Sequence, residues 1–217
     1  MESIEERFGL ALYDKLLTPT LAGDRVLEIG SGRGGGLAWL ARRDPHRRFV
    51  GIDLSAENLK VARRRFGHDC AFLQGNADGL PFADDSFDIV LNVESSNGYP
   101  DFEAFLSEVR RVLVPGGTLC FADFRPTAET STLMAAWRNT QLDGHSENIT
   151  NRVLASCRKD SPRRLGVMRR LPRMMHPVLR NIMCLEDSQM YIAFKEDRYN
   201  YWMHWGTAGE QPTPPSA

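Results

Sequence analysis

The chain has 217 residues, of which 42% are hydrophobic and 25% are charged, and its formal net charge is −1. This composition is globular, the length favours one domain with an appended cap, and the balanced charge argues against a whole surface built for nucleic acid or an anionic membrane. No apolar run is long enough to span a membrane, the charged start is unlike a secretory signal, and the four scattered cysteines favour neither disulfides nor a metal cluster, so we expect a cytoplasmic protein.

Residues 25–126 alternate short apolar runs with amphipathic stretches. The pattern predicts strands at residues 25–29, 48–54, 70–73, 87–93 and 118–124, and helices at 36–43, 56–66 and 101–113. Strand–helix–strand repeats of this length indicate parallel strands with right-handed crossovers. The sequence therefore predicts an α/β fold, with a Rossmann-like, doubly wound, mostly parallel sheet.

The rest of the chain follows other patterns. Residues 127–187 predict a helical cap over the substrate, with breaks at Pro162, Pro172 and Pro177. Residues 189–194 and 199–205 predict two strands, so that a hairpin within 188–206 would end the sheet as an antiparallel pair. Residues 1–24 predict a short helical lid, and the Pro-rich segment 207–217 predicts a disordered tail.

A glycine-rich loop follows the first predicted strand, with the sequence Gly30-Ser31-Gly32-Arg33-Gly34-Gly35-Gly36. Glycines let the backbone approach a ligand closely, and the next helix offers free N–H groups. The loop fits the dinucleotide pattern G-x-G-x-x-G, and with Glu28 it also fits the E/D-x-G-x-G-x-G pattern of S-adenosylmethionine enzymes. Asp53, at the end of the second strand, suits a ribose diol in either case. A turn without ligand, with Asp53 as a helix-capping acid, is the plainer alternative.

Motifs further along the chain distinguish these two cofactors. Residues 75–82 (Gly-Asn-Ala-Asp-Gly-Leu-Pro-Phe), residues 85–88 and the turn Pro115-Gly116-Gly117 occur in an order that resembles class I S-adenosylmethionine-dependent methyltransferases, over about residues 8–206. Residues 32–36, 92–99, 122–125 and 149–153 resemble more closely the small-molecule O-methyltransferases of polyketide and lipid pathways, including the phthiotriolone type.

The resemblance implies a role for each matching position. Gly30, Ser31 and Gly32 would hold the methionine part of the cofactor, and Glu28 would steady its ammonium group. Asp53 would bind the ribose hydroxyls and Leu54 would pack on the adenine. The adenine edge would be read by Asn76 and the backbone of Ala77, and Asn92 would offer its carbonyl to the ammonium. No metal ion is expected.

Two positions depart from the family pattern. Position 76 is usually Asp and is Asn here, although an amide oxygen still accepts a hydrogen bond. Asn97 stands where the family often has a histidine that could act as general base. His145, Glu94 or Asp123 could replace that base, the acceptor could be acidic already, or the reaction could be changed.

The predicted cap is strongly basic. Residues 152–180 contain nine Lys or Arg and a single acid, Asp160. The excess of charge fits either an ordinary solvated face or a patch that steers an acidic partner, such as an anionic or carrier-protein-bound acceptor. Because the lid is short, the mouth of the cofactor site is either open or covered by a second subunit, as in a homodimer.

These observations predict an enzyme that transfers a methyl group from S-adenosylmethionine to a natural-product or lipid-like small molecule, with oxygen as the favoured acceptor atom. The alternatives are methylation of nitrogen or carbon, a protein that binds S-adenosylmethionine without methylating, and a nicotinamide oxidoreductase. No nucleic acid partner is expected.

Overall fold

The computed structural model describes residues 8–18 and 23–209. In chain order the helices and strands are α1 (Phe8–Leu17), β1 (Arg25–Ile29), α2 (Gly35–Arg43), β2 (Arg48–Asp53), α3 (Ala56–Phe66), β3 (Ala71–Gln74), β4 (Phe87–Val93), α4 (Phe102–Val112), β5 (Leu113–Pro126), α5 (Thr130–Asn139), β6 (Gly144–Asn148), α6 (Thr150–Met168), α7 (His176–Ile182), α8 (Gln189–Lys195) and β7 (Tyr199–Thr207). Short 3-10 turns precede α5 and α7 and follow β4.

The strands form one mixed sheet in the order β3-β2-β1-β4-β5-β7-β6. The first five strands in this order are parallel, whereas β7 runs antiparallel to both β5 and β6. The predicted Rossmann-like sheet with an antiparallel end is thus confirmed. Because β1, β2 and β4 are parallel, the loops that follow them meet at one edge of the sheet, where doubly wound folds bind their ligands.

Local signals explain why the helices begin where they do. Ser55 caps α3 by accepting a hydrogen bond from the Asn58 N–H, and Asp101 caps α4 by accepting one from Ala104. Such side-chain caps satisfy N–H groups that have no partner inside the helix. The helices then pack on both faces of the sheet, and each face has its own apolar cluster. Val26 of β1 belongs to one cluster, and Leu27 and Ile29 belong to the other.

The predicted hairpin is wrong in its first strand. Residues 189–195 form helix α8. Ser188 caps its N-terminus, because the Ser188 hydroxyl accepts a hydrogen bond from Tyr191 N–H. Tyr191 and Phe194 are buried three residues apart, which is helical spacing. The antiparallel partners of β7 are instead β5 and the polar strand β6, which lies within the predicted cap.

The other cap and terminal predictions are partly corrected. Pro162 does not break the chain but lies inside α6, whereas Pro172 precedes a 3-10 turn and Pro177 lies in the first turn of α7. At the end of the chain, β7 extends to Thr207, and Ala208 is buried beside Gly117. The predicted disordered tail beyond residue 209, and residues 1–7 and 19–22 of the predicted lid, lie outside the described residues.

Within residues 8–18 and 23–209, no helix has both the length and the apolarity that crossing a membrane requires. Across the same residues, no group of three or more His, Cys, Asp or Glu side chains is placed to hold a metal ion.

Candidate active site at the ends of β1, β2 and β4

The glycine-rich loop turns sharply between β1 and α2. Gly30, Gly32 and Gly34 all have positive φ, at +75°, +55° and +75°. A side chain at Gly30 would collide with Ser95, and one at Gly34 would collide with the ring of Phe72. The space above Gly32 is open by contrast, since no described residue other than its two chain neighbours comes within 4 Å of where its Cβ would be. The loop is therefore packed from below and accessible from above, as a cofactor cradle requires.

Asp53 connects the end of β2 to this loop. Its Oδ2 accepts a 2.7 Å hydrogen bond from Gly32 N–H, and its Oδ1 accepts bonds from Ser55 N–H and the Asn58 amide. The next residue, Leu54, is 69% exposed, which is unusual for a leucine beside a buried strand. The carboxylate and the exposed apolar side chain stand together beside the open loop.

Glu28 is a buried carboxyl group beneath the loop. It is 1% exposed, its Oε1 accepts a 2.6 Å hydrogen bond from the Tyr13 hydroxyl, and its Oε2 has no partner among the described residues. Burial raises the pKa of Glu28 to about 8, and the nearby Asp53 raises it further, while the hydrogen bond from Tyr13 opposes the rise. A buried acceptor without a donor is costly, and a ligand ammonium group would satisfy it.

Asn92 braces the same junction from the other face of the sheet. Glu28 pairs with Leu91, so Asn92, one residue later, points to the opposite side. Its amide donates to the Ile29 carbonyl, to Ser95 Oγ and to the Tyr99 hydroxyl, and its Oδ1 is buried without a partner. The hydroxyl of Ser31 is likewise buried without a partner in the described structure.

The adenine-reading residues of the sequence prediction contact each other. Asn76 Oδ1 accepts a 2.8 Å hydrogen bond from Ala77 N–H, and a bridge joins Asn76 to Gly79. The Asn76 side chain is exposed and Ala77 is buried. A ligand edge that uses both groups would have to replace this internal bond.

A large cavity of about 870 Å³ opens beside these strand ends, under the cap. Its volume is within the range of small-molecule sites. The walls are mostly apolar and come from α1, from the ends of β4, β5 and β7, and from α6, α7 and α8; they include Leu12, Val93, Phe124, Ile149, Val153, Val167, Ile182, Met183, Met190 and Met203. Tyr13 and Glu94 also line it, so the cavity reaches a residue that contacts Glu28 and Gly36 of the glycine-rich segment.

Glu94 follows β4 and faces this cavity. Its backbone is in the left-handed region at φ +49°, which is rare for residues other than glycine. Its Oε1 accepts a 3.0 Å hydrogen bond from the Tyr201 hydroxyl. Desolvation within the cavity walls raises the pKa of the Glu94 carboxyl, against the opposing effect of the Tyr201 hydrogen bond. Glu94 is thus a cavity carboxyl group with a proton affinity above that of an ordinary glutamate.

Asp123, a candidate base in the sequence, lies behind the cavity wall among hydrogen-bond donors. It is fully buried, and its two oxygens accept hydrogen bonds from Ser96 Oγ, from the N–H and the side-chain amide of Asn97, and from Phe124 N–H. Arg125 adds an ion pair at 3.2 Å. With its lone pairs occupied, Asp123 anchors the loop after β4 and acts as a positioning residue.

His145 is also misplaced as a base. It lies on the edge strand β6, three strands from β4, and neighbouring strands are about 4.8 Å apart. The side chain is exposed and stacks on Trp205 at a centroid distance of 5.8 Å. In the sequence, His145 is a lone histidine without a partner motif. The polar sequence of β6 does not indicate an edge strand, so the distance of His145 from the site could not be predicted.

Two tyrosines of the site were not identified from the sequence as functional residues. Tyr13 belongs to a helical face that the apolar pattern assigned to packing, and Tyr201 lies in the middle of an aromatic strand. Burial raises the pKa of both hydroxyls well above its ordinary value, so both stay protonated as hydrogen-bond donors. Only their hydroxyl groups, which donate hydrogen bonds to Glu28 and Glu94, reveal a polar role, and no sequence signal carries that information.

The basic residues of the cap are partly neutralised. Arg163 and Arg164 both bind the carboxylate of Asp160, at 2.6 and 2.7 Å, and Arg152 pairs with Glu147. Arg164 also contacts Cys157 Sγ at 3.6 Å, inside the cavity. The three arginines line the cavity, so positive charge reaches its wall even after pairing.

Comparison with known proteins agrees with this geometry. A family model described as a methyltransferase domain matches residues 27–121. The chain is 37% identical, over 98% of its length and 75% of the relative, to a probable phthiotriol/phenolphthiotriol dimycocerosates methyltransferase 2 of Mycobacterium ulcerans. It is 40% identical to a fatty-acid O-methyltransferase of Mycolicibacterium smegmatis, over 68% of this chain and 53% of that one.

Among solved structures, a phosphoethanolamine N-methyltransferase 2 of Haemonchus contortus with bound S-adenosylhomocysteine has a TM-score of 0.78. The two chains share 19% identity over 94% of this chain and 53% of that one, a level at which the likeness shows the fold alone. The curated relatives, at 37–40% identity, show the family as well as the fold. The open glycine loop and the Glu28 oxygen that lacks a partner among the described residues fit the cofactor. The chain belongs to the S-adenosylmethionine-dependent methyltransferases.

Proposed function

We propose that this enzyme methylates an oxygen atom of a lipid-like acceptor that is held in the cavity under the cap. The observation that carries the proposal is Glu94, a carboxyl group with a raised pKa that faces an apolar cavity of about 870 Å³ next to the cofactor loop. The names of the relatives, a fatty-acid O-methyltransferase and a phthiotriol dimycocerosates methyltransferase, support the same class of acceptor.

The cofactor is assigned to the ends of β1 and β2. Gly30, Ser31 and Gly32 cradle its methionine part, and Glu28 Oε2 takes the ammonium group, assisted by the carbonyl of Asn92. Asp53 binds the ribose hydroxyls in addition to Gly32 N–H, as a carboxylate with several lone pairs can. Leu54 offers an apolar surface to the adenine, whose edge faces Asn76 and Ala77.

S-adenosylmethionine supplies an electrophilic methyl group on its sulfonium. The chain's own residues hold the acceptor in line with that methyl group, and such positioning is the main source of rate in a displacement of this kind. For a hydroxyl acceptor, Glu94 would take the proton that leaves the oxygen as the C–O bond forms, while the methyl–sulfur bond of the sulfonium breaks and the thioether leaves. Tyr201 orients the Glu94 carboxylate for this transfer. A carboxylate acceptor already carries its charge and needs no base.

The cap is assigned to acceptor recognition. The apolar walls from α6 to α8 fit a hydrocarbon chain, and Arg152 and Arg164 put positive charge on the wall, which supports an anionic or carrier-bound acceptor head group. The cofactor residues lie outside the cap, in or directly after β1 to β4. An enzyme of this kind would meet its cofactor in the cytoplasm.

The test is methyl transfer from radiolabelled S-adenosylmethionine to matched acceptors. We expect methyl esters from long-chain fatty acids or methyl ethers from long-chain alcohols, and little product from amines of equal chain length. Glu94→Gln should slow ether formation about 100-fold or more, the usual contribution of a general base, and leave ester formation nearly unchanged. Tyr201→Phe is the matched control: it keeps the volume and raises the pKa of Glu94, so the pH profile for the alcohol shifts upward.

Product from the amine alone, or from a carbon nucleophile alone, would overturn the assignment of oxygen. Tight binding of S-adenosylmethionine without transfer to any acceptor would instead indicate a protein whose methylation activity is absent.

A further inference from the structure

The tip of the cap, residues 167–182, presents large apolar side chains to solvent. Within the described residues, eight large hydrophobic side chains are exposed, and six of them lie here. Met174 is 88% exposed, Ile182 73% and Val178 62%. The other three are Val167, Leu171 and Met175. Single exposed apolar residues are ordinary, but a concentration of this kind marks an interaction surface.

The cap tip is also rich in unpaired positive charge. Residues 161–185 contain six arginines and no acidic residue. Arg163, Arg164 and Arg180 are engaged by Asp160 or Asp187. Arg169, Arg170 and Arg173 are exposed, and none of their guanidinium groups has a hydrogen bond or ion pair with the described part of the chain. Three free guanidinium groups therefore stand among the exposed apolar side chains.

The acceptor cavity shares two wall residues with this surface. Val167 and Ile182 belong both to the cavity wall and to the exposed set, at 42% and 73% exposure. An amphiphile could pass from a lipid surface in contact with the cap tip into the cavity between these two side chains. Its hydrocarbon chain would then stay out of water.

We infer that the cap tip docks on an anionic lipid bilayer and that the acceptor enters the cavity from that bilayer. Protruding Met, Val and Ile side chains would insert at the boundary between head groups and acyl chains, while arginines bind lipid phosphates. A bilayer satisfies both features at once, because it is apolar inside and negatively charged at its surface. The inference rests on the proposed function, since it presumes a lipid-like acceptor.

The experiment is co-sedimentation of the full chain with phosphatidylcholine vesicles, with and without phosphatidylglycerol. We expect binding to the anionic vesicles, weaker binding to the neutral ones, and release by salt through screening. The variant Arg169→Gln/Arg170→Gln/Arg173→Gln should lose about 100-fold in partitioning, since each basic residue near such a surface contributes roughly fivefold. The variant Met174→Ser/Val178→Ser/Ile182→Ser should lose binding to both kinds of vesicle.

A matched control removes equal charge elsewhere. Arg48, Arg64 and Arg65 are exposed on β2 and α3, at the other end of the sheet, and Arg48→Gln/Arg64→Gln/Arg65→Gln should bind vesicles like the wild type. All variants should bind S-adenosylmethionine with unchanged affinity, which verifies that each is folded. Equal losses in the cap-tip and control variants would overturn the inference and indicate nonspecific charge.

Two other outcomes would also overturn it. A wild-type chain that stays in the supernatant with anionic vesicles has no membrane-docking surface. A wild-type dimer that the Met174→Ser/Val178→Ser/Ile182→Ser variant converts to a monomer, without vesicle binding by either, would identify the cap tip as a subunit interface. Sedimentation does not depend on methyl transfer, so an enzyme that fails to bind vesicles would leave the proposed acceptor class untouched. An enzyme that binds vesicles but does not methylate lipids would count against the proposed acceptor class and not against membrane docking.

Discussion

The hydroxyl of Tyr13 donates a 2.6 Å hydrogen bond to Glu28 Oε1, and this pair closes the cofactor cradle from the side of α1. The Tyr13 ring also lies against Gly36, where a Cβ atom would come within 2.0 Å of it. One residue of the N-terminal helix thus packs on the start of α2 and holds a buried carboxyl group in place. The other oxygen of that group stays free for a ligand.

Glu28 should couple cofactor binding to proton release. The pKa of its carboxyl is about 8 in the free protein, so at neutral pH the group is largely protonated, and a bound ammonium would displace that proton. Calorimetry in buffers of different ionisation enthalpy should therefore detect proton release on binding S-adenosylhomocysteine to the wild type. Glu28→Gln should bind more weakly and release none. Equal proton release from both proteins would exclude Glu28 as the source.

The same residue should make the free protein less stable at alkaline pH. Because the folded-state pKa is raised from 4.5 to about 8, the stability it confers is complete below 4.5 and is lost as the pH rises to about 8. Glu28→Gln removes this titration, so its free energy of unfolding at alkaline pH should exceed that of the wild type by up to about 5 kcal/mol, since each pH unit between 4.5 and 8 costs the wild type roughly 1.4 kcal/mol. Denaturant melts at acidic and alkaline pH measure the difference, and a variant that is less stable at both would contradict the assignment.

Asp53 should contribute to cofactor affinity in a graded way. Asp53→Ala removes the proposed ribose acceptor and the bond to Gly32 N–H, and should weaken binding by about 1.5–3 kcal/mol, as for charge-assisted hydrogen bonds. Asp53→Asn keeps one acceptor oxygen and the shape, so its loss should be smaller. Titration of folded variants with S-adenosylhomocysteine compares them. An unchanged dissociation constant in the alanine variant would remove Asp53 from the site.

Asp123 and His145 should prove not to be bases, for different reasons. Asp123→Asn places an amide among groups that donate hydrogen bonds to the carboxylate, so thermal stability should fall while the pH profile of the remaining activity keeps its shape. His145→Ala changes an exposed edge residue, so kcat/KM and its pH dependence should stay as in the wild type. A lost ionisation in either profile would restore that residue as a candidate.

Position 97 offers a gain-of-function test. Asn97 lines the cavity, and its amide donates a 2.9 Å hydrogen bond to Asp123 Oδ1. A histidine there could donate one ring N–H to Asp123 and turn the other nitrogen towards the acceptor. Asn97→His should therefore add an ionisation near pH 6–7 to the rate profile for an alcohol acceptor. A profile identical to that of the wild type would show that position 97 does not reach the reacting oxygen.

The sequence predicts the elements that have strong local signals. Helix α3 begins at the Ser55 cap and spans residues 56–66 as predicted, because cap and apolar spacing agree. The strand predicted at residues 189–194 is wrong because a short run of apolar and aromatic side chains fits a strand as well as a buried helix. Strand β6 was missed because an edge strand of polar residues gains its stability from pairing with β7, which no local pattern encodes.

The site residues likewise fall into those that the sequence predicts and those that only the structure reveals. The residues that carry the glycine loop and Asp53 follow from motif and spacing, since backbone geometry demands glycine and a sheet edge collects the strand ends. The partners of the carboxyl groups depend on contacts between distant segments: Tyr13 reaches Glu28, and Tyr201 reaches Glu94 across 107 residues of chain. Asp123 was nominated by its place after a strand, and only its four hydrogen bonds show that it is an anchor.

The central claim is that the cofactor lies on the glycine loop with its reactive end facing the cavity. A crystal structure with bound S-adenosylhomocysteine tests it most directly. We predict that the ammonium group lies within hydrogen-bond distance of Glu28 Oε2, that the ribose hydroxyls bind Asp53, and that the sulfur faces the cavity on the side of Glu94. A nucleoside bound under the cap, or an ammonium group remote from Glu28, would contradict it.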